Sequence, residues 1–467
     1  MISYIELQNF KSFSHVFFDL RGSHGIPKKV AFLYGENGSG KSNLIRSLMF
    51  MCQSFDTLNN QQKLPDLEIS KLDILKDEKL KEKFLSEIVR TRLYSLQDLI
   101  RQNRSIGVTS PMVIKVGFYC KGREGYYLAK FDTTPNLESI IEEKLYYTLN
   151  ERSGLMFDIC ANRTNEIYVS PSCFPDTKYR FELLETIEKY WGKHTFISIL
   201  HNELKTKNHQ YFNSRLAPNL RTVLRLLSRI STLYKDSDSE AGRISLPFKL
   251  LHQLDEGHVE NKNDSELLAV QNFLNECFTQ LYSDIKRAYY KFEAADPGYD
   301  YELYFDKICG EKEIAVPISL ESTGTKKILD LLPFVFISNL GTTVFVDEVD
   351  SGIHDLLMQD IVRILQTSLE ETDEGQFIAT THNTLLLDDL APENVYVLKT
   401  DILGNKDISC ITDYPRTHKN NSMRHRYLTG IYQGVPEVGY LDFKELVEDT
   451  MKEVKYKSDL DGDQDEE

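Results

Sequence analysis

From Gly35 to Ser42 the chain reads Gly-Glu-Asn-Gly-Ser-Gly-Lys-Ser, meeting every fixed position of the pattern G-x-x-x-x-G-K-[ST]. Glycines at this spacing let successive backbone N–H groups curl around phosphate oxygens. Asn37, Gly38, Ser39 and Gly40 form the cradle, Lys41 has the reach for the β- and γ-phosphates, and the Ser42 hydroxyl can ligate Mg2+. The expected ligand is a nucleoside triphosphate. Much later come two apolar runs with polar ends. Val344-Phe345-Val346 leads into Asp347-Glu348, and Phe377-Ile378-Ala379 into Thr380-Thr381-His382-Asn383. Asp347 suits Mg2+, bound directly or through its water shell. Glu348 can take a proton from an attacking water or orient it, and His382 can hydrogen-bond the γ-phosphate or that water.

These side chains must be carried by strands that share an edge. Val30-Ala31-Phe32-Leu33-Tyr34 predicts a buried strand before the glycine loop, and Asn43 to Phe50 predicts a helix after it, whose N-terminus adds partial positive charge. In parallel α/β sheets ligands bind at the C-terminal ends of the strands, where all three polar ends would lie. Around this framework the sequence predicts two strands between Met1 and Phe18 with a turn near Asn9–Phe13. A hairpin is expected over Met112–Cys120 and Gly125–Phe131, strands at Asp300–Ile308 and Glu313–Ile318, helices at Ile328–Ile337 and Leu356–Leu369, and a strand at Val395–Leu398.

The chain has 467 residues, enough for a large core and for two or three domains. A net charge of -16 makes the surface as a whole repel nucleic acid, so any such contact needs a local basic patch. The seven cysteines show neither C-x-x-C pairs nor zinc spacing and read as reduced thiols. There is no signal-peptide pattern and no apolar run of membrane-spanning length, so a cytoplasmic protein without membrane contact is expected.

Two other groupings carry both a functional and a plain reading. Arg221, Arg225 and Arg229 recur at helical spacing and suit either a groove for nucleic acid or an acidic protein, or a solvated helix face, the reading preferred here. His194 and His201 are seven residues apart, but two histidines do not make a metal site, and a structural role is expected.

The order of motifs resembles the ATP-binding-cassette (ABC) ATPase superfamily, in the branch of SMC, RecF-type recombination-mediator and OLD-type heads. Ile5 to Phe13 is similar to that branch's opening strand, Gly35–Ser42 to its Walker A loop, and Val344–Glu348 to its Walker B strand. Asp350-Ser351-Gly352-Ile353-His354 stands where its D-loop belongs, and His382 matches its switch histidine. Leu320 to Lys327 occupies the place of the signature loop, keeping that loop's serine and second glycine as Ser322 and Gly324. Thr323 and Thr325 replace its first glycine and its glutamine. Arg424 to Pro436 resembles the Y-L-x-G-x-[FY]-G-x-x-P end of a group of bacterial anti-phage ATPases, with Gln433 as one extra residue between the aromatic and the glycine. That group includes ATPases of the AbiL kind and the ATPase subunits of the PARIS (AriA) and Septu systems.

The resemblance implies an α/β fold: an ABC-ATPase head with a P-loop mixed or parallel sheet flanked by helices, an antiparallel β subdomain and a mostly helical insertion. The expected layout is an N-terminal ATPase lobe with Walker A over 1–50, a helical insertion over 51–110, a β-hairpin of the head over 111–134 and a mostly helical middle region over 135–298. A C-terminal ATPase lobe over 299–400, an extension over 401–457 and a disordered acidic tail over 458–467 follow.

The resemblance further implies ATP and Mg2+ as ligands, and a homodimer or higher homo-oligomer in which two heads sandwich ATP. Ser322 and Gly324 would then touch the γ-phosphate held by the other head, and hydrolysis by Glu348 would open the pair. By this resemblance the chain would be a sensor or switch in abortive infection, answering a phage protein and controlling a separately encoded nuclease or toxin. The alternative is a DNA repair or recombination ATPase of the RecF or SMC type. A self-contained nuclease is disfavoured, because the sequence offers no second acidic cluster able to hold two metals.

Overall fold

A computed structural model describes residues 1–63, 94–147, 154–161, 166–206, 214–235, 240–245, 251, 253–415, 422–436 and 441–462. It divides into two units, Met1–Gly434 and Val435–Glu467.

The first unit is organised by a seven-stranded sheet. Its strands lie in the order Glu240–Arg243, Ile230–Lys235, Thr343–Val346, Gln376–Thr380, Val30–Tyr34, Val395–Thr400 and Lys406–Cys410. From Ile230–Lys235 to Val395–Thr400 the neighbours run parallel, and the two edge strands are antiparallel. Every residue of Val30–Tyr34, Thr343–Val346 and Gln376–Thr380 is buried, as expected of parallel strands covered on both faces. The helix Thr323–Ser338 packs on Thr343–Val346 and Gln376–Thr380, and the helix Lys41–Ser54 packs on Ile230–Lys235.

A second, antiparallel sheet runs in the order Phe13–Asp19, Ile2–Phe10, Met112–Cys120, Arg123–Asp132, Ser139–Tyr147, Leu155–Cys160 and Glu166–Val169. Its buried face meets the helix Lys41–Ser54, where Phe50 stands edge-on to Phe10 at 6.1 Å and to Phe131 at 5.2 Å. Buried Gln376 ties the two sheets together. Its Oε1 accepts from Ile2 N at 2.8 Å, and its Nε2 donates to the carbonyls of Ile2 and Lys28, each at 2.9 Å. A smaller antiparallel sheet, built on Ile285–Ala294, Tyr299–Cys309 and Lys312–Pro317, leads into Ser322.

The reading of 135–298 as mostly helical is corrected: strands such as Ser139–Tyr147, Leu155–Cys160 and Ile285–Ala294 share that stretch with the helices Thr177–Tyr190, Phe196–Thr206, Pro218–Ser228 and Ser265–Leu281. The alternation of Ser139–Tyr147 is hidden by a carboxylate, because Glu143 points inward with Ile140, Leu145 and Tyr147. In Ile285–Ala294 a register shift between Ile285 and Arg287 breaks the period of two. Of the helical insertion expected over 51–110, residues 64–93 lie outside the described residues.

The second unit carries the helix Phe443–Gly462, so the tail expected to be disordered from Ser458 begins inside a helix, and 463–467 lie outside the described residues. Glu and Lys are good helix formers, and Lys444 pairs with Glu448 one turn on, so a polar composition did not preclude a helix here. Among the described residues no helix is long and apolar enough to cross a membrane.

Candidate nucleotide site

The glycine loop leaves the C-terminal end of Val30–Tyr34 and turns into the helix Lys41–Ser54. Gly38 and Gly40 have φ of 79° and 113°, in the left-handed region that a side chain disfavours. A Cβ on Gly38 would meet nothing within 4 Å, so the loop's tip is open on that side. The amides of Asn43 and Leu44 bond the Gly40 carbonyl, and those of Lys41 and Ser42 open the helix, where orphan N–H groups favour an anion. Buried Lys41 donates from Nζ to the carbonyls of Gly35 at 2.8 Å and Glu36 at 3.0 Å. Burial lowers its pKa, while Asp347, Glu348 and Asp350 oppose that by favouring the ammonium.

The acids arrive from the neighbouring strands. Thr343–Val346 ends at Asp347, which is 7 % exposed and stands near the Ser42 side chain. Gln376–Thr380, lying between that strand and Val30–Tyr34, ends at Thr380. The Thr380 hydroxyl donates to Asp347 Oδ1 at 2.6 Å and accepts from the Glu348 amide at 2.7 Å. Glu348 is held at φ 46°, a left-handed conformation unusual for a side-chain-bearing residue. Burial raises the pKa of Asp347, and donation from Thr380, with the nearby Ser42 hydroxyl, pulls the other way.

His382 follows two residues later. Its backbone amide donates to the Asp350 carboxylate at 3.2 Å, so Asp350 fixes the imidazole's loop. Burial lowers the His382 pKa, and Lys41 lowers it further against Asp350, Glu348 and Asp347. The structure therefore brings Lys41, Ser42, Asp347, Glu348 and His382 to one sheet edge. Glu348 and Asp347 also line a cleft with Tyr234, Lys327, Asp330 and Ser351.

Ser322 and Gly324 lie elsewhere, at the start of the helix Thr323–Ser338. The Ser322 Oγ caps that helix, accepting from Thr325 N at 3.2 Å. A Cβ on Gly324 would come within 3.0 Å of the Gly352 carbonyl, so the signature-like loop abuts the D-loop. No hydrogen bond among the described residues joins Ser322 or Gly324 to Gly35–Ser42.

The donor set fits a Mg2+-bound triphosphate. Ser42 and Asp347 are neighbours at the helix start, and Lys41 stands beside the acids. Among the described residues no group of three or more His, Cys, Asp or Glu side chains could hold a metal ion, so phosphate oxygens and water would complete a coordination shell.

Sequence reasoning assigned no role to Thr380, and only a place to Asp350. A threonine ending a buried strand carries no pattern of its own. It also passed over Lys406, whose Nζ donates to the Gly38 carbonyl at 3.0 Å and to Ser12 Oγ at 3.1 Å. The histidines read as structural are both engaged by the segment that follows the P-loop helix. His194 lies between Thr57 and Gln61 at 3.0 and 2.9 Å, and His201 stands 3.9 Å from Asp56.

Residues 217–388 match a family model described as "AAA domain, putative AbiEii toxin, Type IV TA system". That span contains the signature-like loop, both acids and His382 but not the P-loop. A comparison with curated proteins finds no match. Among solved structures, the chain is similar to the SMC head domain from Thermotoga maritima at 14% identity and a TM-score of 0.37, covering 88% of this chain and 98% of that one. It is also similar to an SmcHead bound to the C-winged helix domain of ScpA, at 16% identity and a TM-score of 0.40, covering 87% and 96%. A third is the Smc head domain with an extended coiled coil bound to the C-terminal domain of ScpA from Pyrococcus furiosus, at 15% and 0.36, covering 87% and 95%. Scores this low carry no weight for function. By its own strand order the chain has an α/β fold, a mainly parallel seven-stranded sheet with antiparallel edges that carries the glycine loop and both acids at the C-terminal ends of its strands.

Proposed function

We propose that the chain binds and hydrolyses ATP with Mg2+, and that it works as a switch subunit in bacterial anti-phage defence, controlling a separately encoded nuclease or toxin. The observation that carries the enzymatic part is the Ser42–Asp347 contact, with Thr380 bridging Asp347 and the Glu348 amide beside Lys41. When bound, Mg2+ supplies positive charge at the β- and γ-phosphate oxygens. In this reading Ser42 and Asp347 hold the ion, and the amides of Asn37–Ser42 cradle the phosphates. Lys41 exchanges its loop carbonyls for phosphate oxygens. Glu348 accepts the proton of an attacking water. His382, its amide fixed on Asp350, orients that water or the γ-phosphate.

The depressed pKa of His382 keeps its imidazole neutral, so it can offer one donor and one acceptor. Ser322, exposed at a helix start, is suited to act on phosphate held by a second copy, which makes the active unit a homodimer or higher homo-oligomer. The defence role is supported by the description of the matched family as a putative toxin of a Type IV TA system. The charge of -16 weighs against a DNA-bound repair ATPase.

Two variants test the reading. Lys41→Ala is expected to abolish ATP binding. Glu348→Gln is expected to keep binding, lose phosphate release, and elute earlier on size exclusion with ATP as a trapped dimer. Hydrolysis by Glu348→Gln at the parent rate would show that the base lies elsewhere. For the defence role, co-expression with the neighbouring gene is expected to yield a co-purifying complex whose toxicity needs Lys41.

A further inference from the structure

Behind the P-loop lies a segment that the phosphate chemistry does not use. The short helix Met423–Leu428 and the turn after it bring Tyr427 and Gly434 against the loop's first glycine. Tyr427 is 8 % exposed, and its hydroxyl donates to the Gly434 carbonyl at 2.9 Å, with the Gly35 amide close by. Its ring stands edge-on to Tyr34, the residue before the loop, with centroids 5.4 Å apart. A Cβ on Gly434 would lie 2.3 Å from Val397 Cγ1 and 3.7 Å from Gly35 Cα, so no side chain fits there.

The same segment reaches the opposite wall of the site. Tyr34 donates from its hydroxyl to the carbonyl of Asn383, the residue after His382, at 3.1 Å. Arg424 pairs at 3.3 Å with Asp388, in the turn Thr384–Asp388 that follows. One stretch of chain thus touches the start of the phosphate cradle and the loop bearing the imidazole. At Gly434 it continues directly into the second unit.

We propose that Tyr427 and Gly434 form a clasp that sets the position of Gly35, and that nucleotide occupancy is registered in Met423–Gly434. Tyr427 is a positioning residue, acting on phosphate only through the loop. The inference rests on the nucleotide-site reading above. Coupling of this kind is reciprocal: whatever ATP does to the clasp, the clasp does to ATP affinity.

The test is amide hydrogen exchange of the full chain with and without Mg-ATP, paired with Kd measurements for a fluorescent ATP analogue. Amides in Met423–Gly434 are expected to exchange at least about threefold more slowly with ATP. Tyr427→Phe keeps the ring and removes the hydroxyl. It is expected to raise Kd roughly fivefold, about the loss of one hydrogen bond, and to abolish that protection without lowering Tm by more than a few degrees. Gly434→Ala, whose Cβ would crowd Val397, is expected to weaken binding at least as much, and the exchange comparison on the parent chain keeps the proposal falsifiable should either variant fold poorly. Unchanged exchange in a parent chain that does bind ATP, or an unchanged Kd in both variants, would overturn the clasp. A parent chain no better at binding ATP than Lys41→Ala would instead remove the nucleotide-site reading, and the clasp with it.

Discussion

Thr380 donates its hydroxyl proton to Asp347 Oδ1 at 2.6 Å, across the step between two adjacent parallel strands. The same oxygen accepts the Glu348 amide, so one side chain fixes the direction of one acid and the backbone of the next. Thr380→Val keeps the shape and removes both bonds. Phosphate release is expected to fall roughly tenfold or more, since a mispositioned acid loses transition-state stabilisation. ATP binding should change little, because Gly35–Ser42 is untouched. An unaltered rate in a steady-state phosphate assay would deny Thr380 this role.

Gln433 stands at φ 60°, where a side chain crowds the backbone and glycine does not. It is the extra residue in the turn between Tyr432 and Gly434. Gln433→Gly is expected to stabilise the chain by roughly 0.5–1 kcal/mol, the strain relieved less the added freedom of the unfolded glycine. A thermal melt reads this as a small rise in Tm. A clear fall would mean that the Gln433 side chain makes a contact that outweighs the strain.

Glu143 is fully buried, and burial raises its pKa to about 7 against donations from Phe196 N, Trp191 Nε1, Ile197 N and Tyr127 Oη. Trp191 is the only tryptophan, and its indole donates to Glu143 at 3.0 Å. Its emission is therefore expected to titrate with a midpoint near 7, and Glu143→Gln to flatten the curve. The stability effect follows in sign. A carboxyl with a raised folded-state pKa contributes fully below its ordinary value of 4.5, and that contribution is lost as pH rises through about 7.

His194 responds in the opposite sense. Burial lowers its pKa from 6.5 to about 4, and the neutral ring suits its partners, with Nε2–H donating to Gln61 and Nδ1 accepting from Thr57. Its contribution is present above 6.5 and lost as pH falls towards about 4. In urea melts taken between those values, His194→Gln is expected to show a shallower decline with acid than the parent. An identical slope would place the acid sensitivity elsewhere.

The residues meeting at the sheet edge were legible because each ends a buried run with a chemical group that few other roles require. The glycine loop fixes its own backbone, and Asp347-Glu348 and His382 follow apolar strands with clear boundaries. What escaped was set by tertiary structure. Glu143 broke the alternation of its strand because an inward carboxylate was unforeseeable without the helix start at Phe196 that donates to it. Lys406 and Tyr427 meet the P-loop from more than 360 residues away, through a carbonyl and through ring packing that no local pattern marks. The Tyr427 stretch had been noticed only for its likeness to other sequences, and its contact with Gly35 supplies a physical reason for those residue types.

The strand Gln376–Thr380 hydrogen-bonds directly to Val30–Tyr34, although more than 340 residues of chain separate them. Contacts of such long sequence separation are costly to close and form late. A nascent chain emerging from the ribosome would carry its phosphate loop long before the acids and the imidazole exist to use it. The proposed nucleotide site is thus assembled only after the segment bearing His382 has been made.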